Sequence, residues 1–351
     1  MKPLAAQTLI SFLLAACLLA SPPVLASPDF LSREDVRSFI AFMSEEHGID
    51  SAHLERIFSA VRHAPVAVRL TNPIPSSAPS PARSYARYRA KFLTPDLIST
   101  GSAFWSTHTE DLARAEAEFG VPAEVIVGIL GVETAFGRNT GSFRAIDALA
   151  SIAFDGERRR DYFRDELKEL LLLARDTGID PLQIKGSYAG AVGLPQFMPS
   201  SYRKYAVDYD GDGAIDLLRS PADAIGSIAS YMKAFGWVAG ETPTAPVRLA
   251  AGSETGFVSG LDRVHDVAEV QNQGVVFSGR DPPAGLCSIF ELPTPGMPSK
   301  FVAGFTNFEA VTRYNRSTFY ASAVLELGEA ILKTRGHVQL ALANASEDSL
   351  R

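Results

Sequence analysis

Cysteine is nearly absent from these 351 residues, with Cys17 and Cys287 alone. Cys17 falls in a segment that reads as a leader, so the mature chain keeps one internal thiol and a disulfide-stapled scaffold is excluded. Stability has to come from a buried core. Long apolar runs are missing beyond the first 26 residues: "VIVGILGV" and "ELLLLA" fall far short of the roughly 20 residues that span a bilayer. A surplus of positive charge is missing too. Lys and Arg number 33 against 40 Asp and Glu, and residues 1–26 hold only Lys2 among them, which leaves 32 against 40, a net of −8. That balance excludes general binding of nucleic acid.

The chain opens instead with an export signal, residues 1–26: "MK", the apolar stretch "LISFLLAACLLA", then "SPPVLA". Val24 and Ala26 suit ordinary signal peptidase, whereas "LLAAC" reads as a lipobox that would leave a lipid on Cys17. Both routes lead to the periplasm, one as a soluble protein and one anchored to the outer membrane. Lipidation of Cys17 is the only membrane attachment expected.

Residues 27–80 predict a small helical unit. "SREDVRSFIAFMSEEHG" carries Ser32 and Asp35 as a capping box, and the next helix is entered at Asp50 or Ser51. "TNPIPSSAPSPARS" reads as an extended crossover. Residues 81–242 predict a helical core punctuated by glycines at helix ends and by Pro122 and Pro221 at helix starts. Residues 243–306 predict a small β-rich insertion, with short strands around "VRLAA", "GVVFSG", "CSIFEL" and "KFVAGFT". Residues 307–351 predict a returning helix and a disordered polar tail. The fold class is mainly α, with an α+β character from the insertion.

One glutamate stands out. "VGILGVETAFGRNTG" places Glu133 in an apolar helix, nine positions and half a turn from Glu124. If Glu124 faces water, Glu133 faces Ile126, Ile129, Leu130 and Phe136, which disfavours its charge and prepares a general acid. The competing reading is a structural ion pair with Arg138 or with one of Arg158, Arg159 and Arg160. Gly128 and Gly131 each cost about 1 kcal/mol against Ala in a helix, which implies a close approach by another element. Further on, "GSYAGAVGLPQFMPSSY" is too rich in Gly and Pro for a regular element and reads as a shaped loop. Ser187 and Gln196 are its polar candidates for a sugar amide or hydroxyl, against the simpler reading of a structural turn.

These two stretches, followed by "RKYAVDYDGDGAIDL" and "DAIGSIASYMKAFGW", resemble the lytic murein transglycosylase B family, with its lysozyme-like core, over residues 39–333. The resemblance implies cleavage of the β-1,4 bond between N-acetylmuramic acid and N-acetylglucosamine in peptidoglycan, with Glu133 as the single acid/base. It also implies a 1,6-anhydro product formed without water. Two flanking carboxylates, the signature of hydrolytic glycosidases, are not offered by the motif. The same resemblance places Ser187, Gln196, Arg158, Arg159, Tyr314, Asn315, Tyr320 and Tyr88 along the cleft. The bland readings are a solvated basic helix face for the arginines and rim packing for the tyrosines. "GLPQF" departs from the family pattern at Leu194 and Pro195, which puts a subsite wall in question. Partners are peptidoglycan strands and proteins of cell-wall synthesis or division, around a monomeric enzyme.

"DYDGDGAID" matches the start of an EF-hand loop. Asp208, Asp210 and Asp212 take positions 1, 3 and 5, Gly213 the sharp turn, and Ala214 offers a carbonyl. Position 12 is Arg219 instead of glutamate, and the family resemblance supplies Asp223 as the last ligand, closing the loop 208–223. Asp223 has a rival role beside Ser220 at a helix start. A structural Ca²⁺ is the expected ion; a solvated acidic turn is the alternative. Two other functions stay open on the residues alone, a hydrolytic muramidase and a non-catalytic peptidoglycan-binding scaffold.

Overall fold

A computed structural model describes residues 29–72, 82–250, 254–279 and 281–349, so the leader, Cys17 and most of the crossover lie outside the described residues. The chain runs through α1 (Glu34–His47), α2 (Ser51–Ala60), α3 (Pro65–Thr71), α4 (Tyr85–Arg89), α5 (Pro95–Thr107), α6 (Thr109–Phe119) and α7 (Ala123–Thr134). Then come β1 (Phe143–Arg144), α8 (Ala145–Asp155), α9 (Arg160–Thr177), β2 (Lys185–Gly186), α10 (Pro199–Tyr205) and α11 (Pro221–Ala234). The small sheet region holds β3 (Thr244–Arg248), α12 (Glu254–Phe257), β4 (His265–Asp266), α13 (Val267–Asn272), β5 (Val276–Phe277), β6 (Leu286–Leu292) and β7 (Lys300–Gly304). Two helices follow, α14 (Thr306–Tyr314) and α15 (Thr318–Ser349). The fold is mostly helical with small sheets.

Helix entries follow local chemistry. Asp50 caps α2 by accepting from the His53 N–H at 2.9 Å, and Ser220 caps α11 by accepting from Asp223. The expected Ser32–Asp35 capping box does not form. A single 3₁₀ turn over Phe30–Ser32 intervenes, capped by Asp29, so the N-cap of α1 falls one residue later, on Arg33, and makes no side-chain cap. The tail expected to be disordered is also corrected, because α15 continues as helix to Ser349.

α8 lies at the centre, with Ala145 to Phe154 all buried. The first helices share its core: Phe39 meets Phe58 and Phe154 edge-on, at 6.1 and 5.9 Å. Arg144 grips the nearly buried Asp147 with Nε at 2.7 Å, and Asp147 accepts the Arg62 N–H at 2.9 Å. The later strands form one antiparallel sheet in the order β4-β6-β7-β3-β5. Period two divides β6 cleanly: Cys287 and Ile289 pack into a small core with Val247 and Phe305, while Phe290 and Leu292 join the helical core. Phe290 stacks on Phe308 of α14 at 4.6 Å, which ties sheet to helices.

α7 and α15 run antiparallel in close contact. A Cβ on Gly128 would lie 2.3 Å from the Val324 carbonyl oxygen, and one on Gly328 would lie 2.0 Å from that of Glu124. The two glycines thus answer each other across the seam, and their missing side chains set how near the backbones come. This approach carries the start of α15 to the end of α7, where Glu133 is.

Candidate active site

α7 is apolar all round, and Glu133 sits in its last turn beside Leu130 and Thr134. The helix stops abruptly: Ala135, Phe136 and Gly137 all take positive φ, at 50°, 60° and 87°. Two of these are not glycine, and such conformations cost on the order of 1–3 kcal/mol each unless their surroundings impose them. Here Thr134 does part of that. Its hydroxyl accepts the Gly137 N–H at 3.1 Å and donates to the Leu194 carbonyl at 2.9 Å, which joins the turn to the glycine-rich loop.

Glu133 is half-buried, and no ion pair reaches it among the described residues. Arg138, proposed as its partner in the structural reading, turns away to Asp96 at 2.9 Å. Instead, the Tyr320 hydroxyl donates to Glu133 Oε1 at 2.5 Å. Burial pushes the Glu133 carboxyl up to about 7, and the Tyr320 hydrogen bond pulls the other way. A place at the C-terminal, negative end of a helix also disfavours the carboxylate. The group is therefore poised to give or take a proton near neutrality.

Tyrosines enclose it. Tyr320 is buried, and burial followed by the Glu133 charge holds its phenol well above the usual range. Tyr314 lies parallel to Tyr320 with centroids 6.5 Å apart and donates to the Pro195 carbonyl at 2.6 Å. Tyr88, packed on Phe92 and Phe319, also feels the Glu133 charge. The sequence reading named these three and missed Tyr231, whose ring meets Tyr314 at 5.0 Å. Nothing in "SYMKAFG" separates Tyr231 from an ordinary core position.

The loop candidates are spent partly on the loop itself. Ser187 Oγ accepts from the Ala189 and Ala191 N–H groups at 3.2 and 3.1 Å. Gln196, at φ 52°, donates through its amide to the Thr140 and Gly193 carbonyls. Both hold the shape of the strip facing Thr134. Arg158 and Arg159 are exposed, with no contact to Glu133; Arg159 lies over the Tyr162 ring at 4.0 Å. Asn315 is exposed and ends α14.

Residues 32–329 match the Transglycosylase SLT domain family. The chain belongs to this lytic transglycosylase family. It is 41% identical over 317 residues to the membrane-bound lytic murein transglycosylase B of Escherichia coli K12, covering 88% of this chain and 85% of that one. Among solved structures, the soluble lytic transglycosylase SltB1 of Pseudomonas aeruginosa superposes with TM-score 0.80 at 42% identity, covering 86% and 99% of the two chains. The Escherichia coli lytic transglycosylase SLT35 was solved both with bulgecin A and with calcium. In the calcium complex it superposes with TM-score 0.80 at 41% identity, covering 88% of this chain and 95% of that one. The protein is thus a lytic transglycosylase acting on peptidoglycan.

In this transglycosylase the acidic loop brings three of its predicted ligands together. Carboxylate oxygens of Asp208, Asp210 and Asp212 lie within 4.8 Å of one another, all on exposed residues. Asp208 also accepts the Gly211 and Gly213 N–H groups at 2.8 and 2.9 Å, which curls the loop around the cluster. An all-oxygen set of this charge fits a hard divalent cation. Asp223 is not part of the group. It is buried at 1% exposure, and its oxygens accept the N–H groups of Tyr209 and Asp216, each at 2.7 Å. Arg219, at the position where an EF-hand has glutamate, reaches Asp216 at 3.4 Å. No described helix is long and apolar enough to cross a membrane.

Proposed function

We propose that Glu133 is the single acid/base of the transglycosylase. Its proton goes to the glycosidic oxygen leaving N-acetylmuramic acid as the C1–O4 bond breaks. The resulting carboxylate takes the proton of the muramyl C6 hydroxyl as O6 bonds to C1, so a 1,6-anhydro end forms and no water is consumed. The observation that carries this reading is the carboxyl raised by burial to about 7, hydrogen-bonded by Tyr320 and with no acidic neighbour among the causes of its shift. A group that must be protonated first and deprotonated second works best with a pKa near the working pH.

Tyr88, Tyr314 and Tyr320 would offer ring faces to the sugars, and Ser187, Gln196 and Asn315 polar contacts, with Arg158 and Arg159 toward a substrate carboxylate. Asp208, Asp210 and Asp212, with the Ala214 carbonyl, would hold a structural Ca²⁺; the SLT35 calcium complex supports this for a relative. Residues 27–80, 81–242 and 243–306 serve as support, catalytic core and insertion. The protein works in the periplasm, with Cys17 as its anchor if the lipobox is used; the relative named membrane-bound supports an anchored form.

Digesting purified sacculi with the protein and weighing the muropeptides tests the reaction. Ends one water lighter than hydrolysed ends are expected; hydrolysed ends, or no release, would overturn the reading.

A further inference from the structure

Acidic residues outnumber basic ones in this chain, 40 to 33, yet none falls between Glu55 and Asp96, where Lys and Arg number seven. Four of the seven lie on and beside α4: Arg83, Arg87, Arg89 and Lys91. Arg89 pairs with Glu326 of α15. The other three are exposed and have no ion-pair partner among the described residues. A basic helix face is ordinarily no more than solvated surface, and two of these three cations depart from that.

Arg83 and Lys91 are seated on rings. The Arg83 guanidinium lies 4.6 Å from the centre of Phe319 and the Lys91 ammonium 5.7 Å from that of Tyr88, both within the range of a cation–π contact. The two rings meet each other at 5.7 Å. They belong to the surroundings of the acid: Phe319 precedes Tyr320, whose hydroxyl donates to Glu133, and burial followed by the Glu133 charge raises the Tyr88 phenol above its usual range. A ring face holds a cation in place without neutralising it, so both stay free to meet an anion. In an intact strand the sugars are uncharged, because the muramyl lactyl group is taken up in its amide bond to the peptide. Carboxylates reach this wall only from the peptide.

We propose that Arg83 and Lys91 bind carboxylates of the peptide carried by the muramyl residue, so that the wall of Tyr88 and Phe319 selects peptide-bearing strands by charge. The proposal rests on the reading of Tyr88 as a wall of the cleft.

Cosedimentation of the full chain carrying Glu133→Gln measures affinity for purified sacculi and for the same sacculi neutralised, with their amines acetylated and their carboxylates then converted to methylamides. Adding Arg83→Gln with Lys91→Gln should weaken binding to native sacculi about fivefold, the scale of two exposed charge pairs, and leave binding to neutralised sacculi unchanged. Arg83→Lys with Lys91→Arg, which keeps both charges, should bind native sacculi as the parent does. Unchanged affinity of the glutamine pair for native sacculi would overturn the proposal; a loss confined to vesicles of phosphatidylglycerol and phosphatidylethanolamine would then make the patch a membrane contact. Equal loss on native and neutralised sacculi would overturn it too, by reducing both cations to packing for the rings. Tyr88→Ala should weaken binding to the neutralised sacculi, because a ring face meets the sugars. Failure of that arm counts against the wall reading alone, since the cations are read from the difference between native and neutralised sacculi.

Discussion

Two regions of this molecule use the same chemical group in opposite ways. At the end of α7, Glu133 stands alone against apolar walls and tyrosines, and its carboxyl is pushed up to about 7. In the loop after α10, Asp208, Asp210 and Asp212 stand together in water. Burial outweighs a hydrogen bond that favours the carboxylate in the first case. In the second the three carboxylates share one exposed loop whose oxygen set fits a hard divalent cation, the role proposed for it above. The same carboxyl group is thus set in an apolar enclosure in one region and in an open cluster of its own kind in the other.

The largest test removes the lone acid. Glu133→Gln should cut anhydro-muropeptide release about a thousandfold or more, the scale of a lost general acid, with the fold intact by circular dichroism. The same variant reports the cost of the buried charge. A raised carboxyl destabilises the folded state as pH climbs from the ordinary glutamate range through about 7, so the variant should melt above wild type at pH 8 and level with it at pH 5. Wild-type activity should likewise fall on the alkaline side near pH 7.

Next comes the seam that shapes this environment. Gly128→Ala sets a methyl carbon against a backbone oxygen at 2.3 Å, so α15 must shift. A loss of about 2 kcal/mol in stability by denaturant titration is expected, together with a drop in kcat, because Tyr320 moves with the helix.

A smaller effect belongs to Tyr320→Phe. The bond it deletes favours the carboxylate, so the alkaline limb of the pH profile should move to higher pH, and kcat should fall about tenfold, the worth of one hydrogen bond. Smallest for catalysis is Asp208→Ala with Asp210→Ala. It should erase a calcium-dependent rise in melting temperature of about 5 °C and leave the pH profile unmoved. A moved profile would break the separation between the two regions.

Glu133 was legible because a lone charge interrupts an apolar helix. The geometry used to aim it was weaker than its result. Glu124 faces water only in part, since it lies half-buried where Gly328 lets α15 come close, and Glu133 is half-buried too, so the two ends of the helix do not divide into a wet and a dry face. Gly128 and Gly131 did announce a close approach, but only the structure names the visitor, an element nearly 200 residues downstream. Tyr231 was invisible because tyrosines in a core and at a site leave the same trace. The acidic triad was plain from its spacing, whereas Asp223 could be either ligand or scaffold. In the structure its two short bonds go to backbone N–H groups of the loop. The Ser32 cap failed because one 3₁₀ turn is below the resolution of any helical pattern.

The bond between Tyr320 and Glu133 joins residues 187 positions apart in the chain. During synthesis the acid therefore emerges long before the helix that covers it. Until that helix arrives, the Tyr320 hydrogen bond and the part of the enclosure that α15 supplies are missing from around Glu133. On the acid/base role proposed for Glu133, the transglycosylase becomes competent only when almost its last element has folded home.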